Sequence, residues 1–244
     1  MISFPELGRM GRIGNQLFQI AATIGLARDH DDRYGFPRWP YEGEFALNGC
    51  FYDSLPEGPM YQEPNFHYDR IPYAPNLQLR GFFQSERYFA AHAEYVRTVL
   101  TPLHAREIEE LEGTASLQVR RGDYVYLQPK HPLVPMSFYE KAMDHLRAQG
   151  TRGFLIFSDD LDWCRSQAWP VDATVIPNLA VREQFSMTMA CEHHILGNSS
   201  FSWWTAWLDR KPDKIVIAPE AWFGADFRDE FPTRDLLPPQ WIVL

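Results

Sequence analysis

Long apolar runs are missing from this chain of 244 residues. The longest apolar windows, such as Phe154 to Phe157, fall far short of the roughly 20 residues that a bilayer-spanning helix needs. The opening residues, MISFPELGRM, lack the basic start and apolar stretch of a secretory leader, so a cytoplasmic location is expected. Cysteine is scarce as well: Cys50, Cys164 and Cys191 are odd in number, widely spaced and without a C-x-x-C pair. That excludes a disulfide framework and gives no structural zinc pattern, leaving three reduced thiols. Positive charge is in deficit, 23 Lys and Arg against 32 Asp and Glu, a formal net charge of -9. Nucleic acid is therefore not an expected partner, and an anionic ligand must be met by a local basic pocket.

What is present is a globular composition, 45% hydrophobic and 23% charged, on a chain long enough for one large domain or two ordinary ones. The stretch ASLQVRRGDYVY, residues 115–126, organises it. Leu117 and Val119 read as a strand that stops at Arg120 and Arg121, followed by Gly122 and Asp123. Ligands of a parallel α/β sheet bind outside the carboxyl ends of its strands. Two guanidinium groups placed there offer planar forks that match phosphate oxygens. Asp123 can hold one arginine in place, and Gly122 permits the tight turn. A surface Arg-Asp pair at a strand end is the plain alternative, and the adhesion tripeptide Arg-Gly-Asp has no extracellular context here.

Before this stretch, Gly8, Gly11 and Gly14 punctuate GRMGRIGNQLFQ, and Leu17, Phe18, Ala21, Ile24 and Ala27 recur at helical spacing up to Asp29. A glycine turn feeding a helix lets a ligand meet the first-turn N–H groups. Its G-x-x-G-x-x-G spacing is not the dinucleotide G-x-G-x-x-G, and beyond Ile2 to Phe4 no strand precedes it, which disfavours a nicotinamide or flavin site. Asn15 and Gln16 at the helix entry are amides suited to sugar hydroxyls. Residues 31–76 are aromatic-rich, with possible short strands near Phe51 and Phe66 and tryptophans and tyrosines available for stacking on sugars. A strand over 77–83 leads to a helix capped by Ser85 and ended by Thr101-Pro102. A polar helix over 105–111 then opens the second unit, which places a domain boundary near residue 104.

From residue 115 strands and helices alternate. Strands are expected at 115–120, 153–157, 173–176, 194–196 and 214–218. Helices are expected to follow at 137–149, opened by a Ser137-x-x-Glu140 capping box, up to 168, at 181–191 and up to 208. Such alternation means a parallel sheet covered on both faces, a Rossmann-like unit. Its strand ends carry Arg120, Arg121 and Asp123, then Asp159 and Asp160, then Asn198 to Ser202. Arginines and a helix start at Ser199, Ser200 and Phe201 suit a diphosphate. A carboxylate at Asp159 or Asp160 could accept from the N1–H and amine edge of guanine, or could cap the next helix. Asp160-Leu161-Asp162 is formally a D-x-D, but two arginines already supply neutralising charge, which favours leaving-group stabilisation without a metal. His193 and His194 point to opposite faces of a strand and are read as structural, and Trp203 and Trp204 as core.

GRIGNQLFQ at 11–19, LRGFFQSERYF at 79–89, VRRGDYV at 119–125, FLIFSDD at 154–160 and LGNSSFSWWTAWL at 196–208 together resemble the bacterial α-1,2-fucosyltransferases, glycosyltransferase family 11. The resemblance implies an α/β, GT-B-like fold of two Rossmann-like domains facing across a cleft. Residues 1–104 would be the acceptor-side domain and 105–244 the GDP-fucose-binding domain. It also implies GDP-fucose as donor, no required metal or other cofactor, inversion at the fucose anomeric carbon, and a galactose-terminated glycan or polysaccharide as acceptor. By position, Arg120 corresponds to the arginine on the donor β-phosphate, with Arg121 and Asp123 supporting it. Asp159 or Asp160 would meet guanine, Asn198, Ser199, Ser200 and Phe201 would line the diphosphate, and Gly14 and Asn15 would lie by the fucose. Gln118 stands where the family's H-x-R-R-G-D has histidine; it can orient the donor but takes no proton near neutral pH. Glu63 and Asp69 are the carboxylates considered for a base. The rivals are a metal-dependent transferase using Asp160 and Asp162, and a non-catalytic nucleotide-sugar or glycan-binding protein. The acceptor, the oligomeric state and association with a membrane surface stay open.

Overall fold

The computed structural model describes all residues except 104 and 106–108. The chain forms two compact units, Met1–Leu103 with Phe231–Pro238, and His104–Glu230 with Pro239–Leu244. The second domain is therefore not continuous over 105–244, as the sequence suggested. Phe231–Pro238 returns to the first unit, where Phe231 meets Phe66 at 5.3 Å between ring centroids. Asp235 there accepts hydrogen bonds from the Tyr68 backbone N–H (3.1 Å) and the Arg87 guanidinium (3.0 Å).

The first unit runs β1 (Ile2–Ser3), α1 (Ile13–Asp29), β2 (Tyr34–Pro37), β3 (Phe51–Tyr52), β4 (Met60–Gln62), β5 (Gln78–Arg80) and α2 (Ala93–Leu100). Its sheet is parallel in the order β3-β2-β1-β5-β4. The two residues of β1, too short to announce themselves in sequence, form its central strand. α1 is apolar on almost every face and is buried from Ile13 to Ala27 except at Asn15. Its buried Gln16 amide is bonded at both ends, donating to the Gly11 carbonyl (2.9 Å) and accepting from the Trp39 indole (2.8 Å). Gly25 lets the Tyr88 carbonyl approach the helix, where a Cβ would collide with it. Of the aromatic residues considered for sugar stacking, Trp39 is core, whereas Tyr34, Tyr41, Tyr52, Tyr61 and Tyr68 are half-buried and Tyr73 is exposed; Phe36, Phe45 and Phe66 are core as well. The strand considered near Phe66 lies instead at Met60–Gln62. The helix expected from Ser85 begins as two 3-10 turns, Glu86–Tyr88 and Ala90–His92, before α2.

The second unit runs β6 (Leu111–Val119), α3 (Tyr124–Leu127), α4 (Met136–Ala148), β7 (Gly153–Ser158), α5 (Leu161–Ser166), β8 (Ala173–Val175), α6 (Val181–Ala190), β9 (Cys191–Ile195), α7 (Ser200–Leu208), β10 (Val216–Ala218), α8 (Ala225–Arg228) and β11 (Ile242–Val243). All strands are parallel, in the order β11-β10-β9-β6-β7-β8. The helix expected over 105–111 falls largely outside the described residues, and Leu111 already belongs to β6. The period-2 pattern of β6 sorts its side chains. Ala115, Leu117 and Val119 join a core with Phe138, Tyr139, Ala142, Met143 and Leu146 of α4. Ser116 and Gln118 turn the other way, toward His194 and Thr205. The capping box at Ser137 does not form: Pro135 occupies the cap with extended backbone (φ -73, ψ 152), and α4 begins at Met136.

The structural readings of the histidines and tryptophans hold. His194 is fully buried, with Nδ1 2.8 Å from the Ser116 hydroxyl and Nε2 2.9 Å from the Asp209 carboxylate. Trp203 and Trp204 are likewise fully buried.

Candidate active site

In the second unit the strand order reverses between β6 and β9, and a parallel sheet opens a ligand crevice at the carboxyl ends flanking such a reversal. Arg120 follows β6, Asp159 follows β7, and Gly197 to Ser200 follow β9. The approach is close: a Cβ on Gly197 would lie 2.8 Å from the Gln118 carbonyl and 3.4 Å from the Arg120 Cβ. Tyr124 adds a tie across the reversal, its hydroxyl donating to the Asn198 carbonyl at 3.2 Å.

Arg120 is the hub. Its guanidinium donates to Asp159 and to Asp123 and lies 4.8 Å above the Tyr124 ring. The other oxygen of Asp159 accepts from the backbone N–H groups of Arg121 (2.9 Å) and Gly122 (3.1 Å). Asp159 thus folds the Arg-Arg-Gly turn, and glycine is needed at 122 because a Cβ would run into its carboxylate. Arg121 donates to Asp160 at 3.1 Å and stacks on Trp163 at 3.9 Å. Asp160 also caps α5, accepting from the Trp163 N–H at 3.1 Å. Both aspartates considered for guanine are therefore engaged by the arginine turn, and Asp160 by the helix cap as well. Two guanidinium groups here share three carboxylates, so an arriving diphosphate must use their remaining N–H groups or displace a carboxylate.

α7 begins at this edge, with Ser199 as its cap accepting from the Phe201 N–H at 3.2 Å. The positive end of its dipole and its first-turn N–H groups stand beside the arginines. Phe201 packs against Phe185, ring centroids 4.5 Å apart. Asn198 is buried and structural at its amide nitrogen, which donates to the Pro132 (2.9 Å) and Trp222 (3.2 Å) carbonyls. Gln118 is also buried, its nitrogen held by the Thr205 hydroxyl at 2.7 Å, so it supports the turn from beneath instead of presenting itself to a donor. Of the D-x-D, Asp162 lies fully exposed in α5 beside Arg165 at 3.6 Å. Among the described residues no group of three or more His, Cys, Asp or Glu is arranged to hold a metal ion.

Sequence reading passed over Tyr124 and Trp163, the rings on which the two arginines rest. Their signal was local: one follows the motif directly, and the other is three residues past a cap aspartate. It passed over His131 too, which stacks on Tyr124 at 4.5 Å and whose basicity burial lowers.

Asn15 and Gly14 belong to the first unit, at the start of α1. The sheet order there reverses between β1 and β5. Asn15 accepts from the Gln84 amide at 2.9 Å, and Gly11 takes a left-handed φ of 69 to make room for it. On the same edge Glu63 accepts from the backbone N–H groups of Phe82 (2.6 Å) and Phe83 (3.0 Å). Burial, opposed by those two hydrogen bonds and reinforced by Asp69, pushes its carboxyl up to about 7.

Two parallel Rossmann-like units, one with an arginine turn and a helix start at its strand reversal, define the class of nucleotide-sugar-dependent glycosyltransferases with a GT-B-like fold. A solved structure described as NodZ alpha-1,6-fucosyltransferase soaked with GDP-fucose matches with a TM-score of 0.51 over 88% of this chain and 94% of that one, at 13% identity, a likeness of fold. Residues 59–244 match the family Glycosyl transferase family 11, and the chain belongs to that family. An alpha-1,2-colitosyltransferase of Escherichia coli is 28% identical, with 95% of this chain and 96% of that protein aligned. The O-antigen biosynthesis glycosyltransferase WbnK of Escherichia coli is 33% identical over 58% of this chain and 48% of its own length. Galactoside 2-alpha-L-fucosyltransferase Sec1 of Mus musculus is 26% identical over 95% and 71%. The chain is a glycosyltransferase. None of its described helices is long and apolar enough to cross a membrane.

Proposed function

We propose that the chain transfers L-fucose from GDP-fucose to the 2-hydroxyl of a terminal galactose, with inversion and without a bound metal. The observation that carries this reading is the Arg120–Arg121 turn at the strand reversal beside the start of α7, a site for a diphosphate leaving group. Arg120 would meet the β-phosphate as charge develops on it, Arg121 would hold the turn, and the helix start at Ser199 and Ser200 would take further phosphate oxygens. The relatives named as α-1,2-fucosyltransferases support the sugar and the linkage. A cytoplasmic location belongs to the same reading and is supported by three buried, unpaired cysteines.

One observation favours a second donor. The relative aligned over nearly the whole of both chains is named for colitosyl transfer, and colitose is fucose without its 3-hydroxyl. The test supplies GDP-fucose and GDP-colitose separately, with lactose as acceptor and a chelator present, and follows GDP release. Release from GDP-fucose that depends on lactose, with an α-1,2 product by linkage analysis, supports the proposal. Preference for GDP-colitose transfers the assignment to that sugar. Binding of GDP-fucose without turnover on any galactoside overturns it in favour of a non-catalytic binder.

A further inference from the structure

We propose that His131 is a positioning residue for the donor site: its neutral imidazole, stacked on Tyr124, holds the ring that carries Arg120; this rests on the transferase reading above. All the groups concerned belong to the second unit. The Arg120 guanidinium lies 4.8 Å from the centre of the Tyr124 ring, and the His131 ring lies 4.5 Å from it, nearly parallel at 18°. His131 is also fixed through its chain. Its backbone N–H donates to the Leu127 carbonyl at 3.1 Å, and the next residue, Pro132, accepts from the Asn198 amide at 2.9 Å. Because Tyr124 donates to the Asn198 carbonyl, His131, Tyr124 and Asn198 form a closed circuit between the residues after β6 and those after β9. A second circuit shares the histidine. Asn198 donates to the Trp222 carbonyl, the neighbouring Phe223 ring lies 5.8 Å from the His131 ring, and Phe227 meets it edge-on at 5.5 Å. The start of α8 is tied to the same loop by the Gly224 N–H, which donates to the Lys130 carbonyl at 2.8 Å. His131 is where the two circuits meet.

The surroundings suit an uncharged ring. Nδ1 is buried and has no hydrogen-bond partner among the described residues. A neutral imidazole can leave that nitrogen without a proton, whereas the imidazolium carries N–H on both nitrogens and would bury one of them unmet. Around the ring, the loop contributes Lys130, the arginine turn contributes Arg120 and Asp123, and the segment leading through α8 contributes Phe223 and Phe227. The carboxylate in that set, Asp123, is already bonded to Arg120. An imidazolium would gain Asp123 only by drawing it off Arg120, and without it would add a further cation to Arg120 and Lys130. Burial lowers the basicity of the histidine, so the neutral ring is kept at and above the ordinary histidine value of 6.5 and is lost as pH falls below it. A phenylalanine would pack against Tyr124 as well; histidine adds a stack that acid undoes.

The experiment uses the full chain and follows kcat and KM for GDP-fucose, with lactose as acceptor, from about pH 5.5 to about pH 7.5 in wild type, His131→Phe and His131→Ala. GDP-fucose is also the probe for calorimetry, because a diphosphate esterified at both ends lacks the phosphate ionisation at about pH 6 that a terminal phosphate has. Thermal melting at each pH is the control. The proposal expects wild-type kcat/KM to fall as pH drops below 6.5, with GDP-fucose binding weakening alongside it. His131→Phe should match wild type within about twofold at neutral pH and lack the acid limb. His131→Ala, which loses the stack at every pH, should lower kcat/KM roughly 2- to 10-fold, the worth of one aromatic pair, also without the limb. A His131→Phe variant that keeps the wild-type limb overturns the proposal, as does His131→Ala with unchanged donor affinity. If a variant melts early, wild type decides by calorimetry: GDP-fucose binding equally tight at about pH 5.5 and about pH 7.5 overturns the positioning role. If wild type neither binds GDP-fucose nor releases GDP, the transferase reading fails and takes this proposal with it. An active wild type whose pH profile is untouched by substitution at His131 sinks this proposal alone.

Discussion

Arg120 offers five N–H groups and gives one to each of Asp123 and Asp159. The remaining donors, at the end of β6, are what a β-phosphate would meet. Arg120→Ala should lower kcat/KM roughly 10²- to 10³-fold, equivalent to about 2.7–4 kcal/mol of transition-state stabilisation, with the melting temperature little changed. Arg120→Lys keeps the charge but loses the fork, and should recover only part of the rate. Asp159→Asn tests whether this carboxylate builds the turn or reads guanine. If it builds the turn, GDP and inorganic pyrophosphate weaken together and the preference for GDP over inosine diphosphate survives in calorimetry. Loss of that preference alone would make Asp159 a guanine reader. At this scale the sequence exposed the chemistry better than the roles. Arg120 and Arg121 meet Asp123, Asp159 and Asp160 in one hydrogen-bonded turn. Which carboxylate caps, which folds the turn, and which amide is buried beneath it depends on contacts up to 87 residues apart.

Among elements, the join of β6 and β9 is the most constrained. Gly197→Ala would put a methyl group against the Gln118 carbonyl and the Arg120 Cβ. The Gln118 backbone must then shift, and with it the strand end that carries Arg120, so the variant should lose both stability and GDP affinity, read by melting and calorimetry. Unchanged GDP affinity would mean that the reversal between β6 and β9 is not where the nucleotide binds. In the second unit the element types were legible because strands such as KIVIA and GFLIF are short apolar runs separated by helices. Where the reading slipped, local chemistry had competed with a neighbour: Pro135 took the cap position from Ser137. The first unit was harder to read. Strands of two to four residues carry too little period to detect, and α1, buried nearly all round, has lost the polar face that marks a surface helix.

For the whole molecule, the return of Phe231–Pro238 to the first unit left no mark in composition, because it is fixed by Asp235 and Phe231 acting across more than 140 residues. The pH response of stability is also a property of the whole chain. Burial, with Asp69 adding to it and the two N–H hydrogen bonds opposing it, leaves Glu63 with a raised carboxyl, about 7 folded against a reference of 4.5. The folded state thus holds a proton that the unfolded state releases. That contribution is complete below about pH 4.5 and is lost as pH rises through 7. Glu63→Gln should therefore compare better with wild type at pH 8 than at pH 5, measured as the difference in melting temperature. Burial lowers the basicity of His194 despite its bond to Asp209. Its contribution has the opposite sign: it is present above the ordinary histidine range and is lost as pH falls below it.

The most direct test of the central claim is GDP release from GDP-fucose by the full chain, with and without a terminal galactoside, in the presence of a chelator. The account predicts release that requires the galactoside, is indifferent to the chelator, and yields an α-1,2-linked product. Release abolished by the chelator, or no binding of GDP-fucose at all, would contradict it.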